Sequence, residues 1–343
     1  MTLTPSTPAA DGFAMPAEWE PHAACLMAWP SRSDLWGGRL DEAKRDYAAV
    51  AEAIGKFEPV LMVCNPGGEA DVKRQCGSAV EVLPIPIDDS WIRDSGPVFV
   101  RDAAGRVAAV SFRFNAWGER WHPHDSDAAV ASRIAEYLQM RCYTSSMVLE
   151  GGAYLVDGEG TLLTTEQCLL HPNRNPGLTR EQIEQELRDH LGVSNVVWLG
   201  RGYHDDVGPH GTDGHLDGIA HYVAPGRVLL DVPADPSHPG YAIGQDNLAR
   251  LASATDARGR RFEVLPLDPG TEESLAYANL YLANGAVVVP VGAGPSDRNA
   301  LEQVTAAFPD RELVAVPGEV IAFGGGGPHC ITQQIPAGAA VPA

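Results

Sequence analysis

The chain has 343 residues, 44% hydrophobic and 20% charged, an ordinary globular composition with enough apolar mass for one large core or two small ones. Its formal charge of −20 repels phosphate backbones and anionic lipid, so a cationic ligand is expected as partner rather than nucleic acid or a membrane. No stretch of membrane-spanning length is free of charge and proline, and residues 1–15 lack the basic and apolar regions of a signal peptide. Six cysteines without close pairing or an export signal point to reduced thiols in the cytoplasm.

Loose tails are expected over about 1–14 and 337–343, where the composition is rich in Thr, Pro and Ala. Tyr47, Val50, Ile54 and Phe57 recur at helical spacing, and the strand Val60–Cys64 follows. A hairpin is predicted over 98–112, turning at Asp102-Ala103-Ala104-Gly105, then a helix over 127–140. A second hairpin covers 153–163 around Asp157-Gly158-Glu159-Gly160. Behind it comes a helix through Ile183, Leu187 and Leu191, opened by Thr179 and Gln182 as a capping box, and a strand at 196–199. The third hairpin spans 219–230 around Ala224-Pro225-Gly226, with a helix at 243–253 and a strand at 262–265. The fourth spans 280–289 around Ala283-Asn284-Gly285, before a helix through Leu301, Val304 and Phe308 and a strand at 313–316.

The unit hairpin–helix–strand thus recurs roughly every 50–65 residues, about five times, in the regime of radial or stacked repeats. Hairpins in place of single strands exclude a doubly wound parallel sheet, and no Pro/Ser linker divides the chain, so one domain over 1–343 is expected.

Polar clusters precede these elements at equivalent places. They are 91–97 with Trp91 and Asp94, 149–152 with Glu150, 212–217 with His215 and Asp217, and the run Gly324-Gly325-Gly326-Gly327-Pro328-His329-Cys330. In a ring of repeats such positions converge on the axis. Gly325 and Gly326 clear side chains from the backbone so that a ligand can approach the Cys330 thiol. Cys330, His215 and Glu150 supply nucleophile, acid/base and orienting carboxylate. Asp94 and Asp217 are then surplus. They would oppose an oxyanion but match the N–H fork of a guanidinium, which points to thiolate attack on a guanidinium carbon.

Each residue also has a plainer reading: Cys330 as a buried structural thiol, His215 and Asp217 as a half-buried strand pair, Asp94 in a surface ion pair with Arg93, Glu150 as a turn residue. His204, Asp205, Asp206, His210 and His221 lie near His215 and Asp217 in sequence. They leave open a hydrolytic metalloenzyme built on His204, Asp206, His215 and Asp217, although the spacing fits no settled ligand pattern. A non-catalytic binding module is a third alternative.

The chain resembles the agmatine deiminase family of guanidino-modifying enzymes almost end to end. The resemblance is carried by 15–22 (Met-Pro-Ala-Glu-Trp-Glu-Pro-His), 27–30, 91–97, 114–118, 149–152, 173–176, 212–217 and 329–334. It implies the pentein fold, a five-bladed α/β propeller of ββαβ-type units around a central active site. It also implies that Cys330 is the nucleophile, His215 the general acid and base and Glu150 the residue orienting it, that Asp94 and Asp217 grip the guanidinium, and that Trp91 flanks the substrate. The implied reaction converts agmatine to N-carbamoylputrescine and ammonia through a Cys-bound amidino (thiouronium) intermediate. The expected partner is a small cationic guanidino substrate, with no metal or organic cofactor; a homodimer is left open. Gly327-Pro328 stands where members commonly carry Asn-Ile, Gly218 where Asn is common, and 203–211 is longer than usual. These departures leave arginine, peptidyl-arginine and methylated arginine as alternative substrates.

Overall fold

The computed structural model describes residues 6–271 and 275–342. Five small sheets make up the strand architecture. Four share one plan, in which an inner strand pairs antiparallel with a middle strand and the middle strand pairs parallel with an outer one. The first blade uses Val98–Asp102, Val107–Arg113 and Cys142–Val148. The second uses Tyr154–Val156, Thr161–Thr165 and Asn195–Leu199. The third is Ala220–Ala224, Arg227–Asp231 and Glu263–Leu267, the fourth Tyr281–Ala283, Ala286–Val291 and Glu312–Pro317.

The fifth blade shows no hairpin in the sequence because its antiparallel pair joins the two ends of the chain. Thr332–Pro336 lies against His22–Ala28, followed by Val60–Cys64 and Val80–Pro84 in parallel. This pairing closes the ring.

Strand side chains alternate between faces, and in middle strands such as Val60–Cys64 and Ala286–Val291 both faces are buried, which is why these read as continuous apolar runs. Val98 and Val100 enter one apolar cluster while Phe99 enters the next. Val228 and Leu230 part from Leu229 in the same way, as do Val287 and Val289 from Ala286 and Val288. Each of the five clusters therefore fills the wedge between two neighbouring blades, with a helix at its outer side. Tyr47, Val50 and Ile54 of the helix Leu40–Ile54 fill one wedge; Phe57 falls beyond that helix and packs half-buried. Ile183, Leu187 and Leu191 of Arg180–Leu191 fill another, behind the capping box of Thr179 and Gln182.

The tails differ from expectation. Ala9–Asp11 forms a helical turn, and Phe13–Ala14 adds a strand to the first blade, with Phe13 buried. Ala339 and Val341 pack on a core cluster. An aromatic ring at 13 and aliphatic groups at 339 and 341 have apolar surface to bury, whatever the composition around them. Residues 1–5 and 343 lie outside the described residues. Among the described residues no helix is long and apolar enough to cross a membrane.

Candidate active site

The polar turns that lead into the five inner strands all end at the centre of the ring. Backbone bonds lock them together: Leu216 and Asp217 N–H both donate to Gly152 O at 3.1 Å, and Arg93 N–H donates to Cys330 O at 3.2 Å. Gly152 has no room for a side chain, since a Cβ there would lie 2.6 Å from His215 Nδ1 and 2.7 Å from Asp217 Oδ2.

Four of the predicted residues meet as two direct pairs. The Cys330 thiol donates to Asp217 Oδ2 at 3.4 Å. Asp94 Oδ2 accepts from Trp117 Nε1 at 2.9 Å and lies 3.8 Å from His215 Nδ1, and Asp94 Oδ1 accepts from Gly152 N–H at 2.9 Å. All four side chains are buried, so the strand-pair reading of His215 and Asp217 and the surface-pair reading of Asp94 do not hold. Arg93 turns the other way, to Glu18 at 3.1 Å and Gln334 at 2.9 Å.

Glu150 is present but engaged differently from expectation. Its Oε1 accepts from Arg174 Nε at 2.6 Å, Arg174 also reaching Asp213 at 2.7 Å. The other oxygen, Oε2, is buried with no hydrogen-bond partner, and one carboxylate oxygen of Glu150 lies within 4.8 Å of ligand atoms of His215 and Cys168. The Nδ1 of His215 therefore faces Asp94, and the Cys168 thiol lies beside its ring. A buried carboxylate needs a strong partner, and the guanidinium of Arg174 is that partner on Oε1.

A cavity of about 500 Å³ opens onto Cys330, Asp217 and His215. Gly325 and Gly326 line it, and a Cβ on Gly326 would lie 2.6 Å from Trp91 and 3.0 Å from Cys330 Sγ. Trp91 and Asp94 line a narrower adjoining pocket that shares Cys330 and Gly325 with it. Trp91 itself stacks on Trp36, ring centroids 5.9 Å apart. Among the described residues, no Lys or Arg lines either pocket.

Burial pushes the Cys330 thiol well above its ordinary pKa, with Asp217 and Asp94 adding to the shift. Burial likewise raises Asp94, helped by the charges of Asp217 and Glu150 against the pull of His215. Burial works against a charge on His215, yet Asp94, Cys168 and Asp217 hold its pKa well above the ordinary value. These shifts favour the thiol form of Cys330 and the imidazolium form of His215.

Sequence reasoning missed Asn279. Its Nδ2 donates to Cys330 Sγ at 3.0 Å, and its Oδ1 accepts from His329 N–H at 3.1 Å. It precedes the fourth inner strand, the one repeat to which no polar cluster was assigned; position in the repeat was the available signal. Trp117, Arg174, Glu18 and His329 lay within the resemblance motifs, but nothing in their spacing indicates partners. For the metal-site alternative, Asp206 instead caps its own loop, accepting from Thr212 N–H (2.5 Å), Thr212 Oγ1 (2.6 Å), Gly214 N–H (2.7 Å) and His215 N–H (3.1 Å). The ring of His204 packs on Tyr203 and His238. Among the described residues, the groups of three or more metal-ligating side chains close enough to share an ion do not include the set His204, Asp206, His215 and Asp217.

A sequence profile of the Porphyromonas-type peptidyl-arginine deiminases matches residues 14–336. The chain belongs to that family. An agmatine deiminase of Pseudomonas aeruginosa is 40% identical to it, covering 98% of this chain and 99% of its own. The solved agmatine deiminase of Enterococcus faecalis superposes with a TM-score of 0.92 at 38% identity, covering 97% of this chain and 98% of that one. A substituted variant of a C. jejuni agmatine deiminase, with substrate bound, gives 0.83 at 26% identity over 94% of this chain and 96% of that one. The fold of this deiminase is the pentein propeller, which a dimethylarginine dimethylaminohydrolase structure shares at a TM-score of 0.54 and 15% identity.

Proposed function

We propose that this family member is an agmatine deiminase. The observation that carries the reading is the pair of buried carboxylates, Asp94 and Asp217, flanking the Cys330 thiol in a site whose lining, among the described residues, holds no cationic side chain other than histidine. A guanidinium answers both carboxylates through its N–H fork and places its central carbon over the sulfur.

With the cation seated, the charge that opposes thiolate formation is neutralised, and the thiol proton is lost to solvent. The sulfur attacks the guanidinium carbon. His215, held as imidazolium beside Asp94, donates a proton to one amino group, and the C–N bond breaks to release ammonia. A thiouronium on Cys330 remains. Neutral His215 then takes a proton from water as the hydroxide adds, and collapse breaks the C–S bond to free the ureido product. The net reaction is agmatine plus water to N-carbamoylputrescine plus ammonium. In this scheme Glu150 acts on His215 through space, its charge largely answered by Arg174, and Trp91 walls the guanidinium seat.

Asp205, at the rim of the cavity, complements the far ammonium of agmatine, whereas the α-carboxylate of free arginine would meet no Lys or Arg there. Six free thiols suit a reducing cytoplasm. The test is Cys330→Ala, assayed for ammonia and ureido product across agmatine, arginine and peptidyl-arginine. We expect turnover to be lost, and the parent enzyme incubated with agmatine to show a Cys330 adduct by mass spectrometry. Retained turnover in the variant sinks the mechanism, and preference for another guanidine corrects the substrate.

A further inference from the structure

Asp94, Asp217 and Glu150 crowd three carboxylates into one buried site, and like charges this close push one another toward protonation. A protonated Asp217 would lose its hold on a cation. Glu150 is answered by Arg174 and Asp94 by His215. Behind Asp217 stands His329, fully buried, its Nδ1 2.9 Å from Asp217 Oδ2. On its far side Nε2 lies 3.0 and 3.1 Å from the two oxygens of Glu18. A neutral imidazole has one N–H and one lone pair, so it can satisfy only one of two carboxylates. Contact with both at these distances calls for a proton on each nitrogen.

We propose that His329 is a positioning residue for the deiminase reaction, an imidazolium clamped between Asp217 and Glu18 that keeps the Asp217 carboxylate charged and aimed at the Cys330 thiol. The role of Asp217 rests on the functional reading above; the charge state of His329 does not. The surroundings fit. Arg93 Nη1 reaches Glu18 at 3.1 Å while its Nε donates to His329 O at 3.2 Å. His221 stands edge-on to His329, ring centroids 5.7 Å apart, with Nε2 3.2 Å from Glu18. Tyr154 is near enough to feel Arg93, Glu18 and Asp94. Arg93 and His329 face the two carboxylates Glu18 and Asp217, while His221 Nδ1 lies 2.9 Å from Tyr222 O. Burial and Arg93 oppose the charge on His329, but Glu18 and Asp217 outweigh them and raise its pKa. Burial also opposes the charge on Asp217, and His329 first among its neighbours brings the pKa below the ordinary value. The clamp spans 311 residues of sequence, so the ends that close the ring also meet at the nucleophile.

The experiment uses the full-length enzyme and His329→Gln, which keeps hydrogen bonding and removes the charge. Histidine-selective ¹³C/¹⁵N NMR on the parent, with His329 assigned by difference, should show an imidazolium that does not titrate between about pH 5 and 8. A neutral ring at pH 6 overturns the proposal even if no guanidine is ever turned over. For the variant, loss of an opposite charge at this range should raise the Asp217 pKa. The acid limb of kcat/KM then steepens from one proton to two as Asp217 joins Asp94. KM for the cation rises most at the acid end of the profile and recovers as the pH rises and Asp217 is charged again. A pH profile superimposed on that of the parent also overturns it. Should His329→Gln fail to fold, Glu18→Gln carries the test: the His329 ring should then titrate within the same pH range, and a ring that stays cationic refutes the clamp.

Discussion

The floor of the site and its rim use the same residue types to opposite ends. On the floor, Asp94, Asp217, Glu150, His215 and His329 are buried, and each carboxylate has its own cationic partner, Asp94 with a backbone and an indole donor besides. At the rim, His204, Asp205, Asp206 and His210 are at least partly exposed, and the loop they occupy is held largely by Asp206. Arg120 adds a second tether, to Gly211 O and Asp213. Buried charges must be matched one by one, which fixes geometry to tenths of an ångström. Exposed ones are screened by water and leave the loop free to tune what enters. Histidines and aspartates count as catalytic by virtue of their surroundings, not their abundance.

Breaking the floor should cost most. Asp94→Asn keeps the acceptor for Trp117 and removes the charge, and kcat/KM should fall by about two to three orders of magnitude, as for loss of one member of a buried charge pair. The pH profile of the parent sharpens the same point. Burial raises the Asp94 pKa, and the guanidinium needs Asp94 charged, so activity should fall as pH drops through a midpoint above the usual carboxylate range. Steady-state kinetics over a pH series checks both.

Removing the cation behind Glu150 tests the pairing itself. Arg174→Met leaves Glu150 and Asp213 without their shared partner, at a cost of about 3–5 kcal/mol in stability. Denaturant melts should show it, and activity should fall with it. The rim should respond least. Asp206→Ala removes four acceptor contacts in a half-exposed loop, and about 1–2 kcal/mol is expected. KM should rise several-fold while kcat stays within about threefold, because the Cys330, Asp217 and Asn279 contacts are made elsewhere. A kcat collapse comparable to that of Asp94→Asn would erase the distinction between floor and rim.

Much of the fold was legible in the sequence because hairpins and helices announce themselves locally. Alternating runs around 102–105, 157–160, 224–226 and 283–285 each became an inner pair of strands, and the Thr179–Gln182 capping box formed as spaced. The fifth blade was not legible as a hairpin, since the partner of Thr332–Pro336 lies at the other end of the chain. Nor was the Phe13 strand, two residues long and stabilised only by docking on the first blade.

In the site, equivalence of position brought Asp94, His215, Asp217 and Cys330 together on paper as in space. The same logic extended to the fourth repeat would have found Asn279, which escaped because an uncharged amide among apolar neighbours carries no signal of its own. Composition and periodicity determined the repeat, the ring and the residues at its axis, because each depends on side chains a few positions apart. Which carboxylate faces which cation was decided only by the folded ring. Arg174 takes Glu150, and His329 joins Asp217 to Glu18, because pairing of buried charges depends on where side chains point and what else is within reach. That information exists only once distant segments are packed against each other.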